Sequence, residues 1–521
     1  MIFRSPYTEV ALVESPLTEF VLRRAPQLAD KPALIDGTDG RVLTYTQLAE
    51  SVRRVAANLA ARGFRKGDVF AIFSPNLPEY AVIFHAVASL GGINTTINPL
   101  YTAAEVARQL DDARAKYLIT VPQFMEKAVE AARRSGVRDV FVFGEAEGAT
   151  PFAALLEGEA PEAPAAKIDP REDLVALPYS SGTTGVSKGV MLTHYNMVSN
   201  LLQIEGTGHA YGHDTLVCVL PLFHIYGLTV IMNFGLYCGA TIVTLPRFEL
   251  ESFLHVVQTY GVTQAHVVPP VVLALAKHPA VEKYDLSRLK TIFSAAAPLG
   301  AEVARACAAR LDCFIKQGYG MTEASPATHM APHDPAGVKP GSVGMPVPNT
   351  ECKIVDLTTG AELGPDEEGE IRVRGPQLMR GYLNSPEATA QAIDAEGWLH
   401  TGDIGFADAD GCFFIVDRAK ELIKYKGFQV APAELEAVLL THPRVADAAV
   451  IPSADAEAGE VPKAFVVPRS EVAAEEIMAY VAARVAPHKK VRRLEFIDQI
   501  PKSPSGKILR RVLVERERGR P

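Results

Sequence analysis

Cysteine is sparse in this chain of 521 residues and never forms a CxxC pair. Cys218, Cys238, Cys307, Cys313, Cys352 and Cys412 lie scattered. That argues against a disulfide frame or a zinc site and for buried apolar thiols in a reducing, cytoplasmic compartment. A membrane-length apolar run is also missing. The nearest candidate, Leu216 to Cys238, is interrupted by Pro221, His224, Gly227 and Asn233, so it falls short of the ~18 clean residues a span needs. It reads instead as a buried strand, a turn and a core helix. The opening MIFRSPYTEVALVESP has no signal-peptide core, and Arg-Gly-Arg-Pro at the close is no peroxisomal address, so neither targeting route is expected. Cations are not in excess: 52 Lys and Arg against 61 Asp and Glu leave a net charge of −9. Nucleic-acid affinity comes largely from clustered cations, so a general polyanion binder is excluded, while a local basic site for a phosphorylated small molecule is not. Gly and Pro together number 76, too few for a collagen-like or disordered chain. The histidines show no HExxH or similar spacing, so no structural metal is expected.

What is present is a large core. Hydrophobic residues make up 48% and charged residues 22%, and the length suits three or four domains, or one large domain and a small one. Thr44 to Gln47 has the pattern of a capping box, Leu48, Val52, Val55 and Leu59 then share one helical face, and Gly63 suits the C-terminal cap. Apolar strand candidates run at 68–74, 117–121, 140–143, 174–178, 216–220, 241–245 and 265–268, with helical patterns between several of them. This βα alternation predicts parallel sheets with helices on both faces. Residues 145–173 and 332–348 read as surface connections. After about Gly360 the pattern changes to short strands and turns. Residues 417–429 read as a charged, non-periodic stretch before a helix at 432–442, and the last hundred or so residues as a small α+β unit.

The strongest local signal is the run Tyr179-Ser-Ser-Gly-Thr-Thr-Gly-Val-Ser-Lys-Gly189. Its glycines let backbone N–H groups approach an anion, and its hydroxyls and Lys188 add donors and charge, which suits phosphate. It is not a Walker A loop, because Ser187 stands where the second glycine belongs. Gly185-Val-Ser-Lys-Gly189 does match the GxSxG elbow of a serine hydrolase, which would make Ser187 a nucleophile. That motif needs a strand before and a helix after, and the residues that follow have strand character.

This run and four further motifs occur in order along the chain: Gln317-Gly-Tyr-Gly-Met-Thr-Glu323, Thr401-Gly-Asp403, Asp417-Arg-Ala-Lys-Glu-Leu-Ile-Lys-Tyr-Lys-Gly-Phe-Gln429 and Pro501-Lys-Ser-Pro-Ser-Gly-Lys507. Together they resemble the adenylate-forming superfamily of acyl-CoA synthetases, firefly luciferases and peptide-synthetase adenylation domains. The stretch from Lys424 to Glu436, and Ser294 to Gly300, most resemble 4-coumarate:CoA ligases, particularly bacterial cinnamate/coumarate ligases. The resemblance implies an α/β large N-terminal domain, with parallel sheets flanked by helices plus a small β-barrel-like subdomain, over residues 1–418. A small, mobile α+β C-terminal domain would cover 419–521. It implies an acid-thiol ligase that makes acyl-AMP from ATP and a carboxylic acid, then passes the acyl group to coenzyme A. Mg²⁺ would be required, and the protein would be a monomer or homodimer.

Carried over residue by residue, the resemblance assigns Ser180, Ser181, Gly182, Thr183, Thr184 and Lys188 to the β- and γ-phosphates. Thr322 falls to the α-phosphate and Glu323 to Mg²⁺, while Gln317, Gly318 and Tyr319 line the adenine slot. Asp403 would accept two ribose hydroxyls, with Arg418 nearby, and Lys507 would be the catalytic ammonium of the first step. Lys420 falls at the hinge, Lys424 and Gln429 at adenylate contacts, and Arg247, Lys426 and Gly427 at the coenzyme A side. His224 would border the acyl pocket and the thioester-forming path. Tyr226, Val230, Ala295, Ala296 and Met330 would line that pocket. Val230, Phe293, Ala295 and Ala296 depart from residues common in plant coumarate ligases and make the pocket more apolar than a 4-hydroxycinnamate specialist needs. Cinnamate, other aryl acids and medium- or long-chain fatty acids remain open as substrates.

Overall fold

A computed structural model of the chain describes residues 1–158, 163, 165–180, 187–426, 428–455, 457–503 and 506–519. The expected capping box starts the first long helix, Tyr45–Ala61. Gln47 N–H donates to Thr44 Oγ1 at 3.2 Å, and Thr44 N–H to Gln47 Oε1 at 2.9 Å. Leu48, Val52, Val55 and Leu59 are all buried, and Gly63 takes the positive φ of 89° that ends such a helix.

Among the described residues the β elements form four sheets. In the first, Leu174–Ala176, Ile93–Thr96, Val69–Phe73, Ala115–Thr120, Asp139–Val142 and Thr150–Pro151 run parallel. Lys188–Thr193 adds antiparallel at one edge, between Leu174–Ala176 and Tyr179–Ser180. In the second, Phe314–Gly320, Thr291–Ser294, Gln264–Val267, Thr215–Cys218, Thr241–Thr244 and Pro32–Asp36 are parallel neighbours in that order, with antiparallel strands at both ends. The strands predicted from apolar runs are the interior strands of these two sheets. The third sheet, from Ile2–Arg4 through Glu351–Val355, Gly369–Arg374 and Leu399–Ala407 to Phe413–Arg418, is antiparallel throughout. The fourth holds Ile423–Tyr425, Phe428–Val430, Val445–Asp455, Gly459–Pro468 and Arg493–Phe496, with the helices Pro432–Thr441, Ala474–Ala482 and Arg510–Arg518 in the same stretch of chain.

The stretch 417–429 is not irregular. Ile423–Tyr425 pairs antiparallel with Phe428–Val430. Within this pairing Ile423 and Val430 turn into the core while Lys424, Lys426 and Gln429 face solvent, an alternation too short to register as a period. The 216–238 segment is the predicted strand and core helix, but the helix begins as a π-helix at Tyr226–Asn233 and becomes α-helical at Phe234–Cys238. Among the described residues no helix is long and apolar enough to cross a membrane.

Buried polar side chains of the helix His194–Gly206 tie it to the second-sheet strand Ala327–Met330 and to Pro348, on the connection that leads to the third sheet. Asn200 donates Nδ2–H to Ala327 O at 2.8 Å and accepts from Ala327 N–H at 3.0 Å, while Gln203 Nε2 donates to Pro348 O at 2.8 Å. Each of these amides is buried and satisfied. They fix the strand Ala327–Met330 beside the Gln317–Glu323 motif.

Candidate active site

The motif residues gather beyond the carboxyl ends of the second sheet's parallel strands, where open α/β sheets bind ligands. Ser180 pairs in register with Lys188. Ser180 Oγ and Tyr382 OH both donate to Glu323 Oε1, at 2.8 and 2.9 Å, and Lys188 Nζ lies 5.3 Å from the centre of the Tyr382 ring. The two ends of the glycine-rich run and the acid of the second motif therefore share one cluster, completed by Tyr382, which no motif signalled. Thr322 and Glu323 lie on a short 3₁₀ turn directly after the strand Phe314–Gly320. Ser181, Gly182, Thr183, Thr184 and Gly427 lie outside the described residues.

A second cluster surrounds Asp403, buried on the strand Leu399–Ala407. Its Oδ2 accepts from Tyr319 OH at 2.6 Å and its Oδ1 lies 3.4 Å from Arg418 Nε. Burial pushes the carboxyl above the usual range, opposed by Arg418, the Tyr319 hydrogen bond and Lys507. Gln317 and Gly318 are buried on the strand that carries Tyr319.

Lys507 joins the two clusters. Burial, with Arg418 beside it, holds its ammonium below the usual lysine range, while Asp403, Glu323 and Glu421 act in the opposite sense. The loop is tied locally: Ser503 N–H donates to Lys507 O at 2.8 Å and Lys507 N–H to Ser503 Oγ at 3.1 Å. Gly506 has φ 75°, and a Cβ built there would lie 2.7 Å from Val268 Cγ2, at the end of a second-sheet strand. Lys277 Nζ adds a bond of 2.7 Å to Leu440 O across the same boundary.

His224 faces this centre. Burial, reinforced by the charge of Lys507, pushes its imidazole down to about 3, so it is neutral near pH 7. Its turn is held from the first sheet's side: Leu222 N–H donates to Asn76 Oδ1 at 2.7 Å, Asn76 Nδ2 to Leu220 O at 2.9 Å, and Thr96 Oγ1 to Phe223 O at 2.7 Å. Gly227 closes the turn, because a Cβ there would meet Pro221 O at 2.4 Å. Neither Asn76 nor Thr96 belongs to a motif.

Of the expected acyl-side residues, Tyr226, Val230 and Met330 are buried and Ala295 and Ala296 partly so. Ala296 has φ 74°, a conformation that favours glycine. Tyr226 OH bonds His266 Nδ1 at 3.1 Å. His266, Phe293 and Lys316 stand in register on adjacent parallel strands, so they form one row.

Arg247, Lys420, Lys424, Lys426 and Gln429 are exposed. The structure brings Arg418 and Lys507 to the centre, whereas Lys426 pairs with Glu457 at 2.6 Å. The hydrolase reading of Ser187 is corrected by the strand Lys188–Thr193, which occupies the place where an elbow needs a helix.

The AMP-binding enzyme family profile matches residues 21–383, and the profile of the AMP-binding enzyme C-terminal domain matches 434–507. The chain belongs to the AMP-binding enzyme family. It is 45% identical to the 4-coumarate--CoA ligase 2 of Petroselinum crispum, across 98% of this chain and 96% of that protein. Among solved structures it resembles the anthranilate CoA ligase AuaEII in complex with anthranoyl-AMP, with a TM-score of 0.89, 27% identity and 98% of each chain covered. It also resembles ATP-bound MatB from Rhodopseudomonas palustris, with a TM-score of 0.86, 29% identity, and 97% of this chain and 99% of that chain covered.

Proposed function

We propose that this member of the family is a cytoplasmic, ATP- and Mg²⁺-dependent carboxylic acid:CoA ligase acting on cinnamate- or 4-coumarate-type aryl acids. The observation that carries the reading is the convergence on Lys507 of Asp403, Glu323, Arg418 and His224, residues from separate stretches of the chain. The identity of 45% over nearly the whole chain to a 4-coumarate--CoA ligase supports the substrate class. The six free thiols fit a reducing compartment.

In the first half-reaction the acid's carboxylate attacks the α-phosphate of ATP and pyrophosphate leaves. In the second, the coenzyme A thiol displaces AMP to give the thioester. A carboxylate is a poor acyl donor, and the phosphate leaving group repairs that. Lys507 neutralises charge between the attacking carboxylate and the phosphate, Thr322 holds the α-phosphate, and Ser180, Lys188 and the loop between them hold the outer phosphates. Gln317, Gly318 and Tyr319 take the adenine, and Asp403 the ribose. Asp403 keeps lone pairs free beyond those used by Tyr319 and Arg418, since a carboxylate has about four acceptor positions. Glu323 fits a Mg²⁺ ligand: among the described residues Ser180 and Tyr382 both donate to its Oε1, and Mg²⁺ takes few protein ligands and keeps its waters. When bound, the ion neutralises phosphate charge.

The chain divides functionally at 418/419, with Lys420 as the hinge. A turn of the small domain would withdraw Lys507 and bring Lys424, Lys426, Gly427 and Gln429 to the adenylate, with Arg247 receiving the nucleotide end of coenzyme A. The exposure of Lys424, Lys426 and Gln429 in this arrangement is consistent with such a second use. The deciding experiment is a pyrophosphate-release screen over cinnamates, benzoates and fatty acids, with and without coenzyme A. Release with cinnamates, and thioester only when coenzyme A is present, is expected. Fatty acids as the best substrates would move the acyl assignment, and nucleotide binding without pyrophosphate release would make the protein a nucleotide sensor.

Gly506→Ala tests the docked loop. A methyl at φ 75° against Val268 costs on the order of 1–3 kcal/mol of backbone strain and contact. Adenylation should slow about tenfold or more, by the usual 1.36 kcal/mol per decade. Thioester formation from supplied acyl-AMP, which uses the other face, should stay near the wild-type rate.

A further inference from the structure

Lys316 carries no role in the chemistry above, yet it is 2% exposed in the interior of the second sheet. Its Nζ lies 3.4 Å from His209 Nε2, 3.4 Å from His333 Nδ1 and 3.2 Å from His333 O. Among the described residues no carboxylate pairs with it. A buried cation whose neighbours are neutral rings and one carbonyl is costly in an apolar interior, and a site that keeps one is suited to an incoming oxygen acceptor. Burial alone pushes the ammonium down to about 8. His209 and His266 are pushed down as well, by burial first and then by Lys316, so near pH 7 the lysine is the charged member of the group.

The group is continuous with the expected acyl side. Lys316 stands in register with Phe293, and Phe293 with His266. The Phe293 ring lies 5.4 Å from that of His266 and 6.1 Å from that of His209, centre to centre. His266 bonds Tyr226, two residues beyond His224 and the reacting centre. Going outward from Lys507, the order is therefore His224, Tyr226, His266 and Phe293, then His209 and Lys316. A flat acid with its carboxylate at Lys507 would point its far end at this group.

We propose that Lys316, supported by His209, is a specificity-determining residue that receives an oxygen acceptor at the end of the acyl substrate remote from its reacting carboxylate. The inference rests on the ligase reading and deepens it: the preferred acid carries a distal phenolic oxygen or a second carboxylate.

The test compares kcat/KM for pyrophosphate release with cinnamate, 4-hydroxycinnamate and 4-carboxycinnamate, in the wild-type protein and in Lys316→Met, which keeps the length and removes the charge. Wild type should prefer at least one oxygenated acid over cinnamate, and the two oxygenated arms tell phenol from carboxylate. Lys316→Met should lose about 10- to 100-fold on the preferred acid, as expected when a polar partner is deleted. It should stay within about threefold of wild type on cinnamate, so the selectivity ratio collapses. A purely structural lysine would lower all three together and leave the ratio unchanged, which overturns the inference. So does a wild-type protein that favours cinnamate over both oxygenated acids, a result that needs no folded variant. Wild-type protein releasing pyrophosphate with no acid in a broader screen overturns the ligase reading and this inference with it. Release with other acids and an unchanged ratio overturns the inference alone.

Discussion

Lys507→Ala is expected to slow acyl-adenylate formation by about 10²–10³-fold, the cost typical of deleting one preorganised charge-stabilising donor. The side chain sits among Asp403, Glu323 and Arg418, so its removal withdraws positive charge from where the pentavalent phosphate would develop negative charge. Substrate binding should change less than turnover, because the interaction strengthens as that charge builds. Thioester formation from supplied acyl-AMP should largely survive, and equal loss of both half-reactions would remove the assignment. The wild-type pH profile gives an independent check. A lysine acts here only while protonated, and burial with Arg418 lowers its pKa. Adenylation should therefore fall as pH rises through a value below the usual lysine range, and Lys507→Ala should lack that alkaline limb. His224 cannot produce it, since its imidazole is already neutral far below that pH.

The parts of this site that were legible in the sequence are those made by contiguous residues. Glycines and hydroxyls beside Lys188, the run ending in Glu323, and the Thr-Gly-Asp turn each carry their chemistry within a few positions. The parallel strands were legible because they are apolar on both faces, as in Val69–Phe73, where every residue is buried. What escaped is held by pairs far apart in the chain. Tyr382 reaches Glu323 over 59 positions and Asn76 clamps Leu222 over 146, and nothing local distinguishes either from any other tyrosine or asparagine. Lys316 reads locally as one polar residue before the Gln-Gly motif. Its burial, and its place beside Phe293, arise only when parallel strands come into register. Ala296 shows the converse: its φ of 74°, a conformation that favours glycine, is invisible in the residues alone.

The largest effect on stability should come from Arg510→Ala, three residues beyond Lys507. Arg510 Nη2 bonds both oxygens of Glu436, at 2.9 and 2.7 Å, Nη1 pairs with Glu421, and Nε donates to Val450 O at 3.2 Å. The arginine and Glu436 side chains are 15% and 10% exposed. Removing one partner of a buried pair leaves the other charge uncompensated, at a cost of about 3–5 kcal/mol. Denaturant unfolding of the C-terminal portion should record that loss. Lysine should not restore it, because an ammonium lacks the planar fork whose three nitrogens reach Glu436, Glu421 and Val450 O at once. Replacing the pair together, Arg510→Met with Glu436→Gln, should recover most of the stability, because both buried charges then go. Adenylation should remain impaired in that double variant. Glu421 belongs to the surroundings of Lys507 as well, and once released from Arg510 it would compete for the Lys507 ammonium. A double variant that regains stability and full adenylation together would show that Arg510 stabilises the small domain without holding Lys507 in place.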